Sequence, residues 1–212
     1  MSRKVVVVDY GIGNLLSVTR ALARVGADAA LSNSPNEVGA ADRVILPGVG
    51  AFGDGMAGLA AAGLTDTVKR YADRGRPFLG ICLGMQMMLD TSMEFGSHAG
   101  LGLIAGTVVP VPTTTSDNKP HKIPHIGWNR LTPAGDSWNS TILEGLSDDR
   151  DTYFVHSFMA DPTDPAHRLA DCDYNGRRVS AVIRRDHLYG CQFHPEKSGP
   201  VGLRILQSFV AL

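Results

Sequence analysis

The chain has 212 residues, of which 43% are hydrophobic, and a formal net charge of −1. This length suits a single domain spanning residues 1–212, and the near-zero charge argues against an electrostatic surface for nucleic acid or an anionic membrane. No apolar run approaches the roughly 20 residues that cross a bilayer, and the N-terminus leads into a short strand rather than a signal segment.

The first half of the chain alternates strands and helices. The valine-rich segment 4–9 is apolar on both faces, as is typical of a central parallel strand covered by helices. Strands are predicted at residues 4–9, 27–31, 43–46 and 77–81, and helices at residues 15–25, 56–72 and from residue 85 onward. This alternation predicts a parallel sheet with right-handed crossovers.

The second half has strands with few helices between them, so we expect part of its sheet to be antiparallel. Strands are predicted at residues 104–109, 127–131, 152–158, 178–183 and 188–193, surface loops at 110–124, 132–140 and 161–165, and an amphipathic C-terminal helix over 201–209. The predicted fold class is α/β, with a mixed central sheet that is parallel in the N-terminal half and partly antiparallel in the C-terminal half.

The three cysteines, Cys82, Cys172 and Cys191, are odd in number and widely spaced, which is typical neither of a disulfide framework nor of a zinc site. We therefore expect a reducing, cytoplasmic environment and no metal or other cofactor. In such an environment Cys82 stays a free thiol.

Cys82 lies in the segment that indicates the chemistry. An apolar strand runs into Gly80-Ile81-Cys82-Leu83-Gly84, which has the G-x-C-x-G pattern of a nucleophile elbow with sulfur in place of the serine oxygen. The glycines permit a sharp turn, and a helix that starts after Cys82 would favour its thiolate. The backbone N–H of Leu83 would then face a developing oxyanion. The alternative is that Cys82 is a small buried hydrophobe.

His194 follows a predicted strand and precedes Glu196 by two residues. A thiol nucleophile needs a base that hydrogen bonds the sulfur through one ring nitrogen while a carboxylate holds the other. Together with Cys82, this pair predicts a Cys82–His194–Glu196 triad for acyl transfer. The alternative is a surface histidine beside a strand-end charge.

The segment Pro47-Gly48-Val49-Gly50 interrupts a predicted strand. One interpretation is a simple turn. The other is a mobile backbone segment, because glycines on both sides of Val49 would permit a peptide flip that turns the Val49 N–H into a second oxyanion donor.

These motifs resemble the class I, or triad-type, glutamine amidotransferases, and among them the glutaminase subunits of imidazole glycerol phosphate synthase from histidine biosynthesis. The matching segments are residues 9–15, 46–50, 80–86, 126–129, 153–158 and 193–199, in order along nearly the whole chain. The resemblance implies a three-layer fold whose central sheet carries the nucleophile elbow.

The resemblance also implies a reaction. Cys82 attacks the side-chain amide of glutamine, His194 passes the thiol proton to the leaving ammonia, and Glu196 orients His194. The glutamyl thioester on Cys82 is then hydrolysed to glutamate. The pocket residues implied for glutamine are Gly50, Gln86, Glu94, Ser157 and Phe158. From the sequence alone, Gln86 is equally an ordinary helix residue and Glu94 a plain surface charge.

In this family the ammonia passes to a separate (β/α)₈-barrel cyclase subunit, with which the glutaminase forms a heterodimer. The cyclase combines it with a phosphoribosyl formimino carboxamide nucleotide to give imidazole glycerol phosphate and an aminoimidazole carboxamide ribotide. The resemblance implies that Asn14, Trp128 and Lys197 lie at the subunit interface. Trp128 is equally plausible as a buried core residue, and Lys197 as a solvated charge.

The chain departs from the family pattern in a few places. Loops 111–121, 133–140 and 161–167 look longer than a minimal member requires, Ile126 replaces a common methionine, and Phe158 replaces a common tyrosine and so lacks its hydroxyl. Three other functions stay open: the glutaminase of another two-subunit synthase, such as the one that makes pyridoxal phosphate; a redox-sensing relative that uses Cys82 as a switch; and a peptidase of the elbow type.

Overall fold

The computed structural model describes residues 4–135, 137–146 and 150–212. The strands are β1 (Lys4–Val8), β2 (Asp28–Ser32), β3 (Arg43–Gly48), β4 (Phe78–Cys82), β5 (Thr91–Ser92), β6 (His98–Ala99), β7 (Gly106–Pro110), β8 (His125–Pro133), β9 (Asp151–His156), β10 (Phe158–Pro162), β11 (Arg168–Tyr174), β12 (Arg177–Arg185) and β13 (Leu188–Cys191). The helices are α1 (Leu15–Arg24), α2 (Pro35–Ala40), α3 (Phe52–Ala61), α4 (Thr65–Ala72), α5 (Leu83–Met87) and α6 (Gly199–Ala211). Residues 1–3, and residue 136 of the predicted loop 132–140, lie outside the described residues.

A nine-stranded sheet joins both halves of the chain in the order β2-β1-β3-β4-β13-β12-β11-β8-β9. Neighbours from β2 to β13 pair in parallel, and neighbours from β13 to β9 pair antiparallel. The predicted mixed α/β sheet is confirmed, with one addition. Strand β13 comes from the C-terminal half but lies beside β4 in the parallel part, and this position decides where the site forms.

Helices cover both faces of this sheet. In β1, Val5 and Val7 belong to one buried apolar cluster, and Val6 and Val8 belong to another. Because successive side chains of a strand point to opposite faces, the two clusters are the two sides of the sheet. Helices α1 and α6 pack in the first cluster, and α2 to α5 pack in the second. The result is three layers, with the valine run buried on both faces as its composition predicts.

A second, four-stranded sheet has the order β10-β7-β5-β6. Val108 of β7 and Ala160 of β10 are buried in the cluster that also contains α3, α4 and α5. The small sheet therefore lies on the α5 side of the large one.

No helix in the described ranges combines the length and the apolar composition needed to cross a membrane.

Strand β3 is longer than predicted. It continues through Pro47 and Gly48, which pair with Ile81 and Cys82 of β4. The pairing of β3 with β1 ends at Ile45, so the missing N–H of Pro47 interrupts no ladder on that side. The predicted break therefore falls after Gly48 instead of before Pro47.

Two other predicted elements divide. The predicted helix 56–72 is two helices, α3 and α4, because Gly63 between them has a φ of 69° that a helix cannot continue through. The predicted strand 152–158 separates at Ser157 into β9 of the large sheet and β10 of the small one. Helix α5 starts at Leu83, directly after Cys82, and the short elements α2, β5 and β6 and the longer β11 were not predicted.

Helix α5 rests on β3 at Gly84, where a side chain has no room. A Cβ added at Gly84 would lie 1.8 Å from the backbone oxygen of Leu46. We expect Gly84→Ala to lower the free energy of unfolding by about 3 kcal/mol in urea denaturation, because backbone must move. The matched control is Gly39→Ala in α2, whose added Cβ has its nearest neighbour at 3.9 Å. That variant should be neutral or up to about 1 kcal/mol more stable, and equal losses in both would contradict this account.

Candidate active site

Three parallel strands, β3, β4 and β13, end side by side and bring the predicted triad together. Gly48 at the end of β3 pairs with Cys82 at the end of β4, and Cys191 at the end of β13 pairs with Ile81. The carboxyl ends of parallel strands share one edge of a sheet, which is where ligands bind in such folds. The segments that follow Gly48 and Cys191 therefore flank Cys82 on two sides.

A cavity of about 270 Å³ opens at this edge. It is lined by Val49, Gly50, Cys82, Leu83, Gln86, Glu94, Pro124, Val155, His156, Ser157, Phe158 and His194. Every residue predicted for the oxyanion hole and the glutamine pocket lies in this lining, together with the predicted nucleophile and base. Their roles stay predictions, since the lining shows position and not activity. Pro124, Val155 and His156 were not predicted.

The nucleophile elbow has the backbone that its glycines suggest. Cys82 has φ 54° and ψ −110°, a left-handed region that a side chain with a Cβ rarely adopts. Such a conformation costs on the order of 1–3 kcal/mol and persists only where the surroundings enforce it. Here the enforcement comes from the close contact of α5 with the sheet: a Cβ at Gly80 would lie 2.7 Å from the Gly84 oxygen. Cys82 itself is 7% exposed, toward the cavity.

His194 and Glu196 form a buried pair. Nδ1 of His194 lies 2.8 Å from Oε1 of Glu196, and the two side chains are 3% and 1% exposed. The backbone around the ring is also fixed, because the His194 N–H donates to the Tyr153 oxygen at 3.0 Å and the Ser198 hydroxyl donates to the His194 oxygen at 2.7 Å. With Nδ1 on the carboxylate, Nε2 is the nitrogen left for a hydrogen bond to Cys82.

The charge of His194 follows from these partners. Burial by itself lowers the pKa of the ring, but hydrogen bonds to Cys82 and to Glu196, and the negative charge of both groups, outweigh burial and raise the pKa to about 9. The ring therefore holds a proton at neutral pH, where it can be given to a leaving group.

The predicted oxyanion segment lies beside the sulfur. Val49 is 41% exposed, and Gly50 has a φ of 93°. At the far end of this segment, the backbone N–H of Phe52 donates to Oε2 of Glu94 at 2.6 Å. Glu94 thus lies in the cavity wall as predicted and also caps the start of α3, which leaves its Oε1 for a ligand.

Gln86 is held by two hydrogen bonds from its Nε2. One goes to the backbone oxygen of Phe158 at 3.0 Å and one to Oε1 of Gln192 at 3.1 Å. Both N–H groups of the amide are thereby used within the protein. The atom that Gln86 can offer to a ligand is its Oε1, an acceptor suited to an ammonium group.

His156 was missed, although the sequence carried a signal. It lies on the buried face of β9, where buried and partly buried residues alternate. Burial lowers its pKa to about 3, so the ring is neutral, and its Nδ1–H donates to the Phe158 oxygen at 2.8 Å. His125 lies 2.9 Å from its other nitrogen. His156 therefore lies in the cavity wall, and the contact with His125 holds its ring there.

The predicted interface residues lie at the surface. Trp128 is 57% exposed, so the alternative of a buried core tryptophan is wrong. Lys197 is exposed. Asn14 is half-buried, and its Oδ1 accepts from the Ser17 N–H at 3.3 Å as the N-cap of α1.

A larger groove of about 770 Å³ lies between α1 and the start of α6. Its wall contains Arg20 and Arg24 and, of the triad, Glu196 alone. Neither Cys82 nor His194 lies in its wall, so the smaller cavity at the strand ends is the candidate active site.

Comparisons with known proteins agree with this geometry. The family described as glutamine amidotransferase class-I matches residues 6–211. Imidazole glycerol phosphate synthase subunit HisH 1 from Legionella pneumophila (strain Lens) is 56% identical over 208 residues, 97% of this chain and 98% of that protein. The HisH subunit from Halobacterium salinarum is 49% identical over 213 residues, with 97% and 92% of the two chains covered.

Solved structures share the fold. PurLQS from Thermotoga maritima superposes with a TM-score of 0.71 at 21% identity, over 100% of this chain and 99% of that one. A structure described as a glutamine amidotransferase gives a TM-score of 0.70 at 17% identity, over 98% and 99%. At these identities the likeness establishes the three-layer fold and nothing finer.

The raised pKa of His194 predicts how stability depends on pH. The ordinary value is 6.5 and the folded value about 9, so the stability that this proton contributes is fully present below about pH 6.5 and is lost as the pH rises through 9. We expect the difference in unfolding free energy between wild type and His194→Gln to shrink over this range in urea denaturation. A difference that stays constant across the range would contradict the assignment.

Proposed function

We infer the function from one premise: this chain belongs to the class I glutamine amidotransferases and, within them, to the HisH subunits of imidazole glycerol phosphate synthase. It is a glutaminase subunit that hydrolyses glutamine to glutamate and ammonia for histidine biosynthesis. One structural observation supports this conclusion most directly. Cys82, His194 and Glu196 lie close together at the ends of β4 and β13, beside a cavity that Gln86 helps to line.

We propose the following steps. The sulfur of Cys82 attacks the side-chain amide carbon of glutamine, and the negative charge on the oxygen is met by the backbone N–H groups of Val49 and Leu83. His194 gives its proton to the amide nitrogen, the C–N bond breaks and ammonia leaves. A water molecule, deprotonated by His194, then attacks the glutamyl thioester and releases glutamate and the thiol. Glu196 holds the ring in place throughout.

The cavity supports glutamine as the ligand. Gln86 offers an acceptor oxygen and Glu94 a carboxylate oxygen, which suit the α-ammonium group of an amino acid. Gly50, Ser157 and Phe158 supply the remaining wall. Phe158 has no hydroxyl to offer a ligand. Its backbone oxygen accepts hydrogen bonds from Gln86 and His156 and so holds the wall together.

The ammonia is proposed to pass to a (β/α)₈-barrel cyclase subunit in a heterodimer, where it forms imidazole glycerol phosphate and an aminoimidazole carboxamide ribotide. The exposed side chains of Ile126 and Trp128 on β8 support an interface there. Trp128 pairs with Tyr153 of β9, whose backbone oxygen binds the N–H of His194. Only Trp128 and Tyr153 would therefore separate a partner bound on this face from the proposed base, His194.

The other functions are less well supported. The identity of 56% to a HisH subunit favours the histidine pathway over the pyridoxal phosphate synthase. The intact hydrogen bond between His194 and Glu196 favours turnover over a redox switch. A cavity of about 270 Å³ favours an amino acid over a polypeptide.

We also propose that residues 1–212 form one domain, because the large sheet takes strands from both halves of the chain. We propose a cytoplasmic location, which suits the free cysteines.

Replacing the nucleophile tests the proposed function. In the complex with the cyclase, Cys82→Ser should reduce glutamine-dependent synthesis at least about a thousandfold, since the serine hydroxyl is a far weaker nucleophile than the thiolate and acylation becomes too slow. With an added ammonium salt, the same complex should make product at the wild-type rate. Loss of the ammonium-dependent activity, or retention of the glutamine-dependent one, would contradict the proposal.

The interface is tested at Trp128. We expect Trp128→Ala to weaken binding of the cyclase by about 2 kcal/mol, roughly 30-fold in Kd, measured by titration calorimetry. The matched control is Leu31→Ala, an exposed apolar residue of β2 at the opposite edge of the sheet. The control should bind as wild type does, and equal binding by both variants would place the interface elsewhere.

A further inference from the structure

Gln192 is a fully buried amide next to the reacting sulfur, and the mechanism above gives it no role. Its Nε2 lies 3.8 Å from the sulfur of Cys82, and its Oε1 lies 3.1 Å from Nε2 of Gln86. Within the described residues, two side chains hydrogen bond this sulfur: His194 and Gln192. Gln192 therefore contacts the nucleophile and the substrate wall at the same time.

The orientation of both amides follows from one backbone oxygen. The Phe158 carbonyl can only accept a hydrogen bond, so the atom of Gln86 that faces it is the nitrogen. The same nitrogen faces Gln192, so the Gln192 atom opposite it is the oxygen. The remaining atom of Gln192, which points at the sulfur, is then the N–H donor. The Nδ1–H of His156 donates to the same Phe158 oxygen at 2.8 Å, so this carbonyl accepts two hydrogen bonds.

Gln192 is held through its backbone and through both ends of its amide, whose Oε1 meets Gln86 and whose Nε2 meets Cys82. Its backbone N–H donates to the Ala181 oxygen at 2.9 Å, and its neighbours Cys191 and Phe193 are fully buried. The chain of hydrogen bonds from Phe158 through Gln86 and Gln192 to Cys82 is therefore built into the end of β13.

We propose that Gln192 donates a hydrogen bond to the sulfur of Cys82, stabilises its thiolate and couples it to the wall that holds the substrate. The inference rests on the proposed function for its purpose. A donor prefers a charged acceptor, so the contact is stronger with the thiolate than with the thiol. Gln86 lines the cavity, so a ligand that binds it touches the same chain of amides that ends at the sulfur.

Other titratable groups also surround this sulfur. His194 contacts it directly, with Glu196 behind, Tyr10 lies close enough to interact electrostatically, and Glu94 and His156 face it across the cavity. All five are present in wild type and in any Gln192 variant. A change caused by the variant therefore reports the amide and not these groups.

The test is the pH dependence of Cys82 alkylation by iodoacetamide in the full chain, with the modified residue identified by mass spectrometry. Gln192→Met keeps the size and removes the donor. We expect alkylation about tenfold slower at neutral pH, a higher pH midpoint, and a wild-type rate at high pH where the thiolate is complete. An unchanged midpoint, or a slowing that is equal at every pH, would overturn the inference, because it would mean a merely structural role.

Two further variants keep the test decisive. Gln192→Leu also lacks a donor, adds no charge and carries the same expectation if the methionine variant fails to fold. Ser180→Ala, a buried polar change on β12 without a contact to the sulfur, should leave the profile unchanged. Glutamate release by the wild-type complex is measured in parallel. Its absence would refute the proposed function, whereas the alkylation profile alone decides the role of Gln192.

Discussion

The register of three parallel strands, β3, β4 and β13, is the constraint on which the rest of the site depends. Gly80 of β4 pairs with Gly190 of β13, and α5 lies directly over this pair. A Cβ on Gly190 would lie 2.7 Å from the side chain of Met85, and one on Gly80 would meet the α5 backbone at the same distance. A slip of one residue would place a side chain under α5, so the glycine pair fixes which residues end the strands together.

This register brings together groups that are remote in the chain. Cys82 ends β4, and on the adjacent strand β13 the chain continues past its last residue, Cys191, to Gln192 and His194. The strained backbone of Cys82 is held by the close contact of α5 with the sheet, and His194 is held by hydrogen bonds on both sides of its own peptide. By contrast, the pairing of β3 ends at Gly48, and Val49 is 41% exposed. The oxyanion segment is the part of the site with the fewest constraints.

Sequence reasoning succeeded where the signal is local. The elbow is a short pattern of glycines around Cys82, and His194 and Glu196 are two residues apart, so each could be found without knowing the fold. The valine run of β1 is apolar on both faces, which is enough to predict a covered parallel strand. The family resemblance then supplied the cavity residues, including Glu94 and Ser157, that no local pattern could place beside Cys82.

Other features depend on pairing across long chain distances. The parallel contact between β4 and β13 joins residues about a hundred positions apart, and nothing in residues 188–193 announces their neighbour. The transfer of the chain from one sheet to the other at Ser157 has no turn signal, since the apolar pattern continues through it. The contact of Gln192 with the sulfur required both strand ends to be placed first.

The central claim is that Cys82 is a nucleophile activated by His194 and located in a pocket for glutamine. It is tested most directly by treating the full chain with a glutamine-mimicking electrophile and mapping the adduct by peptide mass spectrometry. The account predicts one adduct, on Cys82, with none on the buried Cys172 or Cys191, protection by glutamine, and much slower labelling of His194→Ala. Labelling at another residue, or equal rates in the wild type and His194→Ala, would contradict it.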